Sequence, residues 1–264
     1  MKIAVCIKRV PDTEARLRVA KDGRWIDEED VSFVTNESDN YALEEGLQLA
    51  DKNGGEVVAL SLGPEGAQKE LRNALARAAG KAIHLKDEAF QGGDSQATAR
   101  ALAAAIRRED VGLVLTGSQS DDVGYAATGS VLAAELGWPH VWLVMGIEIE
   151  EGGKTAKVTR EMESGMNEIV RVPLPAVIEV QAGINHPRYA TLKGIMKAKR
   201  MKIEAPTPAD LGLDATNVGA AGSRVEILSV DFPDSGKGAE VIEGDAAGAA
   251  KTLVEKLQKE ARVL

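Results

Sequence analysis

Apolar runs alternate with helix-like segments over the first half of the chain, and this alternation limits the possible folds more than any other feature. Residues 3–7 and 56–62 are β-branched runs typical of buried strands, and the second stops at a Gly-Pro turn. Between them, residues 40–51 carry apolar side chains at helical spacing and end before a glycine-containing stop. Because parallel neighbouring strands need such crossovers, the alternation predicts a doubly wound α/β domain with a mostly parallel sheet.

The same pattern continues and then changes after about residue 146. Further predicted elements are helices at 66–79 and 95–108, strands at 82–85 and 112–115, a hairpin at 147–160, a strand pair at 170–180 broken by two prolines, a basic connection at 185–204, an irregular arm from 205, a strand at 225–230 and a helix at 245–262. We therefore expect one α/β domain with a hairpin, residues 1–184, followed by a C-terminal part, residues 185–264.

Composition excludes several classes of function. The formal charge of −9 argues against a general nucleic-acid binder, which needs a basic surface. Cys6 is the only cysteine, which rules out an internal disulfide and a site of several thiolates, and the three histidines are too scattered for a metal site or a catalytic triad. The apolar stretch at 131–149 contains two glutamates and predicts a folded core segment rather than a membrane span. No export signal is visible, so we expect a cytoplasmic protein. Because neither a metal site nor a catalytic triad is supported, we also expect a protein without catalytic residues.

The segment 115–129 contains the most informative local pattern. It follows a predicted strand and leads through glycines into a helix, where backbone N–H groups and a helix N-terminus favour phosphate. In the competing interpretation, Gly117, Asp121 and Asp122 only form a turn and a helix cap. The residues alone favour neither interpretation. The segment matches neither a Walker loop nor a GxGxxG fingerprint, which disfavours ATP hydrolysis and ordinary dinucleotide redox chemistry.

A second feature is a basic segment in this acidic chain. Residues 193–202 include five Lys or Arg residues, with Leu192, Ile195 and Met196 among or beside them. The segment is either an exposed anchor that inserts Leu192 into a partner while the lysines steer an acidic surface, or a solvated helix that covers the core with Ile195 and Met196. Spacing alone favours the solvated helix.

Several further segments form a pattern that runs nearly from end to end of the chain: residues 5–12 (Val-Cys-Ile-Lys-Arg-Val-Pro-Asp), Asn36, 43–45, 62–64, 117–129, 137–139, 160–165 (Arg-Glu-Met-Glu-Ser-Gly), 174–177, 185–192 (Asn-His-Pro-Arg-Tyr-Ala-Thr-Leu) and 195–199. Taken together, these segments resemble the beta subunit of the electron transfer flavoproteins. The resemblance implies an α/β domain of the adenine-nucleotide α-hydrolase-like type, with a C-terminal arm that packs on an alpha subunit.

The resemblance also implies the cofactors. FAD would be held mainly by the alpha subunit, while this chain would bury an AMP that has no redox role. The expected AMP contacts are Cys6, Asn36, Leu62, Asp122, Val123, Gly124, Tyr125, Ala126, Ala127 and Thr128. No metal site is expected.

Partners follow from the same resemblance. The loop at 188–202 would recognise primary flavin dehydrogenases, with Leu192 as the anchor, and the carrier would pass electrons to a quinone reductase or similar acceptor. The expected docking residues are Arg188, Tyr189, Leu192, Ile195, Met196, Lys197 and Lys199. Glu161 would restrain the mobile FAD domain by pairing with an alpha-subunit arginine, which is a conformational role.

Two departures from the family pattern leave alternatives open. Many members read Gly-Lys/Arg-Gln-Ala-Ile-Asp where residues 117–122 are Gly-Ser-Gln-Ser-Asp-Asp, and Thr13 stands where some carry a tyrosine near the flavin. Bifurcating members bind a second FAD in place of AMP, and this form is the first alternative. A stand-alone nucleotide-binding stress-type protein, a homodimer that would not need the arm after Gly183, is the other.

Overall fold

The fold is built on one large sheet, in a computed structural model that describes residues 1–233 and 238–264. The described residues form ten strands: β1 (Lys2–Cys6), β2 (Arg9–Pro11), β3 (Phe33–Thr35), β4 (Glu56–Leu62), β5 (Lys81–Leu85), β6 (Leu113–Gly117), β7 (His140–Ile149), β8 (Thr155–Glu161), β9 (Asn167–Pro173) and β10 (Ala176–Val180). They also form seven α-helices: α1 (Glu37–Asn53), α2 (Gln68–Ala76), α3 (Ser95–Arg107), α4 (Thr128–Leu136), α5 (Leu192–Arg200), α6 (Gly219–Gly222) and α7 (Ala246–Lys256). None of these helices combines the length and apolarity needed to cross a membrane.

The strand order confirms the predicted doubly wound topology. Eight strands lie in the order β5-β4-β1-β6-β10-β7-β8-β9, and β2 pairs with β3 in a separate ribbon. The first six are parallel, while β7, β8 and β9 pair antiparallel. From β1 the chain builds outward through β4 to β5 and then crosses to β6 on the other side of β1. The order therefore reverses between β1 and β6, and such a switch point leaves a crevice at the carboxyl ends of the strands.

Helices cover both faces of the parallel sheet. Helices α1 and α2 pack on one face, whereas α3 and α4 pack on the other. Side chains of β1 alternate between the two cores, so that Ile3 and Val5 face α1 and α2 while Ala4 and Cys6 face α3 and α4. Burial on both faces explains why these strands read as continuous apolar runs.

Two sequence predictions need correction. Residues 225–230 do not form a strand, although they are rich in Val, Ile and Leu; Val230 donates its backbone N–H to the Gly23 carbonyl at 2.7 Å and not to a strand of the sheet. The strands predicted as a pair at 170–180 are not partners, because β9 pairs with β8 while β10 lies between β6 and β7. An extended segment joins a sheet only where an edge is free, and local sequence does not show which edge that is.

Candidate functional site

A buried carboxylate ties together the two strands that flank the switch point. Asp39 in the first turn of α1 accepts the backbone N–H of Lys8 at 2.8 Å and that of Gly117 at 2.9 Å, one on each oxygen. Its side chain is buried, with the residue 6% exposed. Burial raises the pKa of Asp39 to about 6, although the hydrogen bonds from Lys8, Gly117 and Asn36 act in the opposite direction. Asp39 thus fixes the ends of β1 and β6 relative to each other.

Gly117 is required at this junction by close contact rather than by backbone conformation. A Cβ atom there would overlap the hydroxyl of Ser38 and come within 2.5 Å of Asp39 Oδ1. No larger residue fits while α1 keeps its position. The N-terminus of α1 therefore lies directly against the end of β6.

Asn36 clamps the loop that follows β6. Its Nδ2 donates to the carbonyl of Gln119 at 3.0 Å, and its Oδ1 accepts the N–H of Asp121 at 2.9 Å. Ser38 Oγ donates to the same Gln119 carbonyl at 2.8 Å, and the N–H of Glu37 donates to Asp121 Oδ2 at 2.9 Å. The side-chain amide of Asn36 is therefore engaged by the protein itself, so its role is to shape the loop.

Asp122 is held by a lysine from the neighbouring strand end. Lys8 Nζ lies 2.6 Å from Asp122 Oδ1 and 3.2 Å from Ser120 Oγ. Burial raises the pKa of Asp122, but the hydrogen bonds from Lys8 and Ser120 outweigh it and leave the pKa below its usual value. Asp122 is thus an ionised group turned into the loop.

The loop then enters α4, whose first turn at Gly129 lies against the buried Glu179 side chain of β10. Gly124 and Ala126 adopt positive φ angles of 60° and 48°, and Tyr125 is exposed. In the described part of the chain, no side chain caps the first turn of α4, which begins at Thr128. Thr116 Oγ1 is also buried and has no partner among the described residues. Uncapped first-turn N–H groups at the carboxyl edge of a parallel sheet suit an anion.

The remaining predicted nucleotide residues lie at the ends of their strands. Cys6 closes β1 and Leu62 closes β4, so both reach the carboxyl edge of the sheet. Burial raises the pKa of the Cys6 thiol to about 12, with a further contribution from Asp39, so Cys6 is a neutral thiol. The structure thus brings Cys6, Asn36 and the 117–128 loop to the region of the switch point.

The basic segment is a helix whose apolar side chains face outward. Helix α5 begins at Leu192, where Thr191 Oγ1 caps it by accepting the N–H of Gly194 at 3.0 Å. Tyr189 is 95% exposed and Leu192 is 79% exposed. Ile195 and Met196 are 39% and 49% exposed, and Ala198 is the residue of α5 that is buried. Ile195 and Met196 are thus partly covered where α5 packs on α2, so the partner-docking interpretation stays a prediction that rests on the exposure of Leu192 and Tyr189.

The other predicted docking residues differ in their surroundings. Lys197 and Lys199 are exposed on α5, whereas the Arg188 side chain turns back to Glu44 and Asp51 of α1. Glu161 is exposed at the end of β8, opposite Asn167 of β9.

Asp39, Lys8 and Gly117 were not identified from sequence as the junction of the site. A signal was present for Asp39, because it occupies the same buried stripe of α1 as Leu43 and Gly46, where an acidic residue is unusual. No group of three or more His, Cys, Asp or Glu side chains suited to a metal ion is found among residues 1–233 and 238–264.

Comparison with known proteins decides the family. The model described as "Electron transfer flavoprotein domain" matches residues 24–211. Over 257 residues the chain is 36% identical to the electron transfer flavoprotein subunit beta of Methylophilus methylotrophus, covering 97% of each chain. The chain belongs to the family of electron transfer flavoprotein beta subunits.

Other members of this family are similar to the same degree. The human electron transfer flavoprotein subunit beta is 38% identical, over 88% of this chain and 89% of its own. The caffeyl-CoA reductase-Etf complex subunit CarD of Acetobacterium woodii is 38% identical, over 98% of each chain.

Proposed function

We propose that this chain serves a heterodimeric electron carrier in which an alpha subunit holds most of the FAD and this subunit holds an AMP at the switch point. The observation that carries the proposal is the clamped 117–128 loop, which follows β6 and leads into helix α4, whose first turn has no side-chain cap and which packs on β10. The family assignment supports an alpha-subunit partner and a flavin. FAD would accept and release the electrons, while this chain would contribute no acid, base or nucleophile.

The residues present are compatible with AMP. The first-turn N–H groups of α4 would receive the phosphate, with the backbone of residues 122–128 around it. The adenosine would extend toward Cys6 and Leu62 at the ends of β1 and β4. Asn36 and Asp122, which the structure engages with Gln119, Asp121 and Lys8, would act by shaping the loop. As a ligand bound only in the folded state, AMP would stabilise the subunit by mass action.

The C-terminal part, residues 185–264, would supply the contacts with other proteins. Helix α7 has no buried residue, and apolar side chains along the arm are exposed, among them Leu228, Phe232, Leu253 and Val254. We take the alpha subunit to be the surface that covers them. The exposed carboxylate of Glu161 lies at the end of β8, before the turn that leads to β9. It would restrain the FAD domain by pairing with an alpha-subunit arginine.

Helix α5 and the residues before it would dock primary flavin dehydrogenases. Leu192 and Tyr189 project from the surface, and Lys197 and Lys199, exposed further along α5, supply positive charge. An exposed apolar anchor with a charged surround suits a transient partner that must bind and leave quickly. A quinone reductase or similar acceptor would take the electrons onward, and a cytoplasmic location remains our prediction from the sequence.

A bifurcating carrier with a second FAD in place of AMP is the alternative, favoured by the similarity to the CarD subunit of a caffeyl-CoA reductase-Etf complex. Chromatography of the small molecules released by heat from the purified heterodimer separates the two functions. One FAD with one AMP supports the simple carrier, and two FAD without AMP supports bifurcation. If no flavin-containing complex forms with the alpha subunit, the proposal is wrong.

Docking is tested by Leu192→Ala in the heterodimer. The side chain is already exposed, so we expect unchanged FAD content and unfolding temperature but a loss of about 1.5–3 kcal/mol in dehydrogenase binding. The measurement is flavin reduction as a function of heterodimer concentration. Ile169→Ala, which removes an exposed apolar side chain of β9 outside both α5 and the C-terminal arm, is the control. Equal kinetics for the Leu192 variant and wild type would reject the anchor.

A further inference from the structure

Glu44 of α1 is a buried carboxylate that holds the start of the docking segment, defined here as residues 185–200. The residue is 2% exposed. Its oxygens accept the backbone N–H of Arg188 at 2.9 Å and the Arg188 Nε–H at 3.1 Å, and Gln48 Nε2 donates a further bond at 3.0 Å. Burial raises the pKa of Glu44, but the bonds from Arg188 and Gln48 outweigh it and keep the pKa below its ordinary value. Glu44 is therefore ionised, and it binds both the backbone and the side chain of Arg188.

Two arginines pair with Glu44. Arg77 Nη2 lies 3.6 Å from Glu44, and Arg188 Nη1 lies 3.0 Å from Asp51 Oδ2. Stability alone does not explain such a group, because replacing buried ion pairs with apolar residues is often neutral or stabilising. What the charged group does provide is a fixed position for the Arg188 backbone, since a carboxylate accepting an N–H bond defines both distance and direction.

The docking segment is fixed at both ends while its middle projects. Asn185 Nδ2 donates to the Tyr41 carbonyl at 3.1 Å and to Glu45 Oε2 at 3.0 Å. At the other end, Arg72 Nη1 donates to the carbonyl of Ala198 at 2.6 Å. Gly194 permits close packing on α2, because a Cβ atom there would overlap the carbonyl oxygen of Ala76. Tyr189 and Leu192 lie between these attachment points.

We propose that Glu44 is a positioning residue for partner docking, which acts by holding Arg188 inward so that Leu192 is presented in a fixed geometry. The inference rests on the proposed docking function of Leu192. Arg188 was predicted from the sequence to contact the partner. Its guanidinium instead faces Glu44 and Asp51 of α1, so its role here is to hold the docking segment. An anchor that is already ordered loses less conformational entropy on binding, so releasing the segment weakens docking without altering the flavin.

The kinetic test uses the FAD-containing heterodimer and a purified flavin dehydrogenase that reduces the wild-type complex. We expect Glu44→Gln and Arg188→Lys each to raise the KM for the heterodimer about tenfold at constant kcat, which corresponds to about 1.4 kcal/mol. The KM of the double variant should not exceed the higher of the two single-variant KM values, because both changes break the same interaction. Both effects should vanish in a Leu192→Ala background. Arg171→Lys alters an exposed ion pair with Glu150 and is the control.

A second readout reports the segment itself. A nitroxide attached at Leu192→Cys reports local order without interference from the buried Cys6. Its spectrum should show a larger mobile fraction in Arg188→Lys and in Glu44→Gln than in the parent and in Arg171→Lys. If Glu44→Gln fails to fold, Arg188→Lys alone still tests the inference by both measurements.

The opposing outcomes are distinct. Additive effects of the two variants would mean that Arg188 contacts the dehydrogenase directly and would overturn the inference. An unchanged nitroxide spectrum in both variants would also overturn it. If instead Leu192→Ala leaves the kinetics unaltered, the docking function itself fails, which is a separate result.

Discussion

Replacing Gly117 with alanine tests whether close contact between α1 and β6 builds the nucleotide site. The added Cβ would overlap Ser38 and lie 2.5 Å from Asp39 Oδ1, so either α1 or the end of β6 must shift. Gly146→Ala is the matched control, because a Cβ there meets Thr159 at an ordinary 3.7 Å in another strand of the same sheet.

The expected loss in the free energy of unfolding of Gly117→Ala comes from two effects that share one cause. Overpacking costs about 1–3 kcal/mol, and loss of a hydrogen bond to a charged group costs about 1.5–3 kcal/mol. Since one displacement causes both, we expect a total near 3 kcal/mol, which corresponds to a fall of about 6–12 °C in the unfolding temperature. The control should change stability by less than about 1 kcal/mol.

The assay is thermal unfolding of the heterodimer together with the amount of AMP released by heat. We expect Gly117→Ala to unfold earlier and to release much less than one AMP per heterodimer, while Gly146→Ala behaves as wild type. If Gly117→Ala keeps its full AMP content and unfolds within about 2 °C of the control, the steric reasoning is wrong.

Three further predictions concern single groups. The pKa of Asp39 is raised from 3.8 to about 6, so the neutral carboxyl stabilises the fold below about pH 4 and this stabilisation is lost as the pH rises through 6. In urea unfolding, the free energy of unfolding of the wild type should fall by about 3 kcal/mol relative to that of Asp39→Asn between about pH 4 and pH 7. Parallel pH profiles of the two proteins would contradict this. Cys6, with its pKa raised to about 12 by burial, should resist a thiol reagent at about pH 8 in the native heterodimer and react fully after denaturation; rapid native labelling would contradict its burial. Glu161→Ala should change the orientations of the FAD domain in small-angle scattering at unchanged FAD content, and identical scattering profiles would reject its restraint role.

Much of the fold could be predicted from the sequence because strand and helix periodicity are local. The helix predicted at 95–108 is α3, and the strand predicted at 56–62 is β4. The prediction of a strand at 225–230 was wrong, because residue types that suit a strand do not determine whether the segment finds a strand to pair with. Helix α1 begins three residues earlier than predicted, because its polar first turn is part of the nucleotide-site junction.

By itself, the sequence determined the α/β class, the family resemblance and the positions of the loop at 117–128 and the basic segment. The tertiary structure alone decided how these parts are held. Asp39 meets Gly117 across 78 positions of the chain, and Glu44 meets Arg188 across 144. Such contacts depend on which surfaces pack together after the strands cross over β1, and no local periodicity encodes that arrangement. The outward direction of Leu192 and the inward direction of Arg188 have the same physical origin.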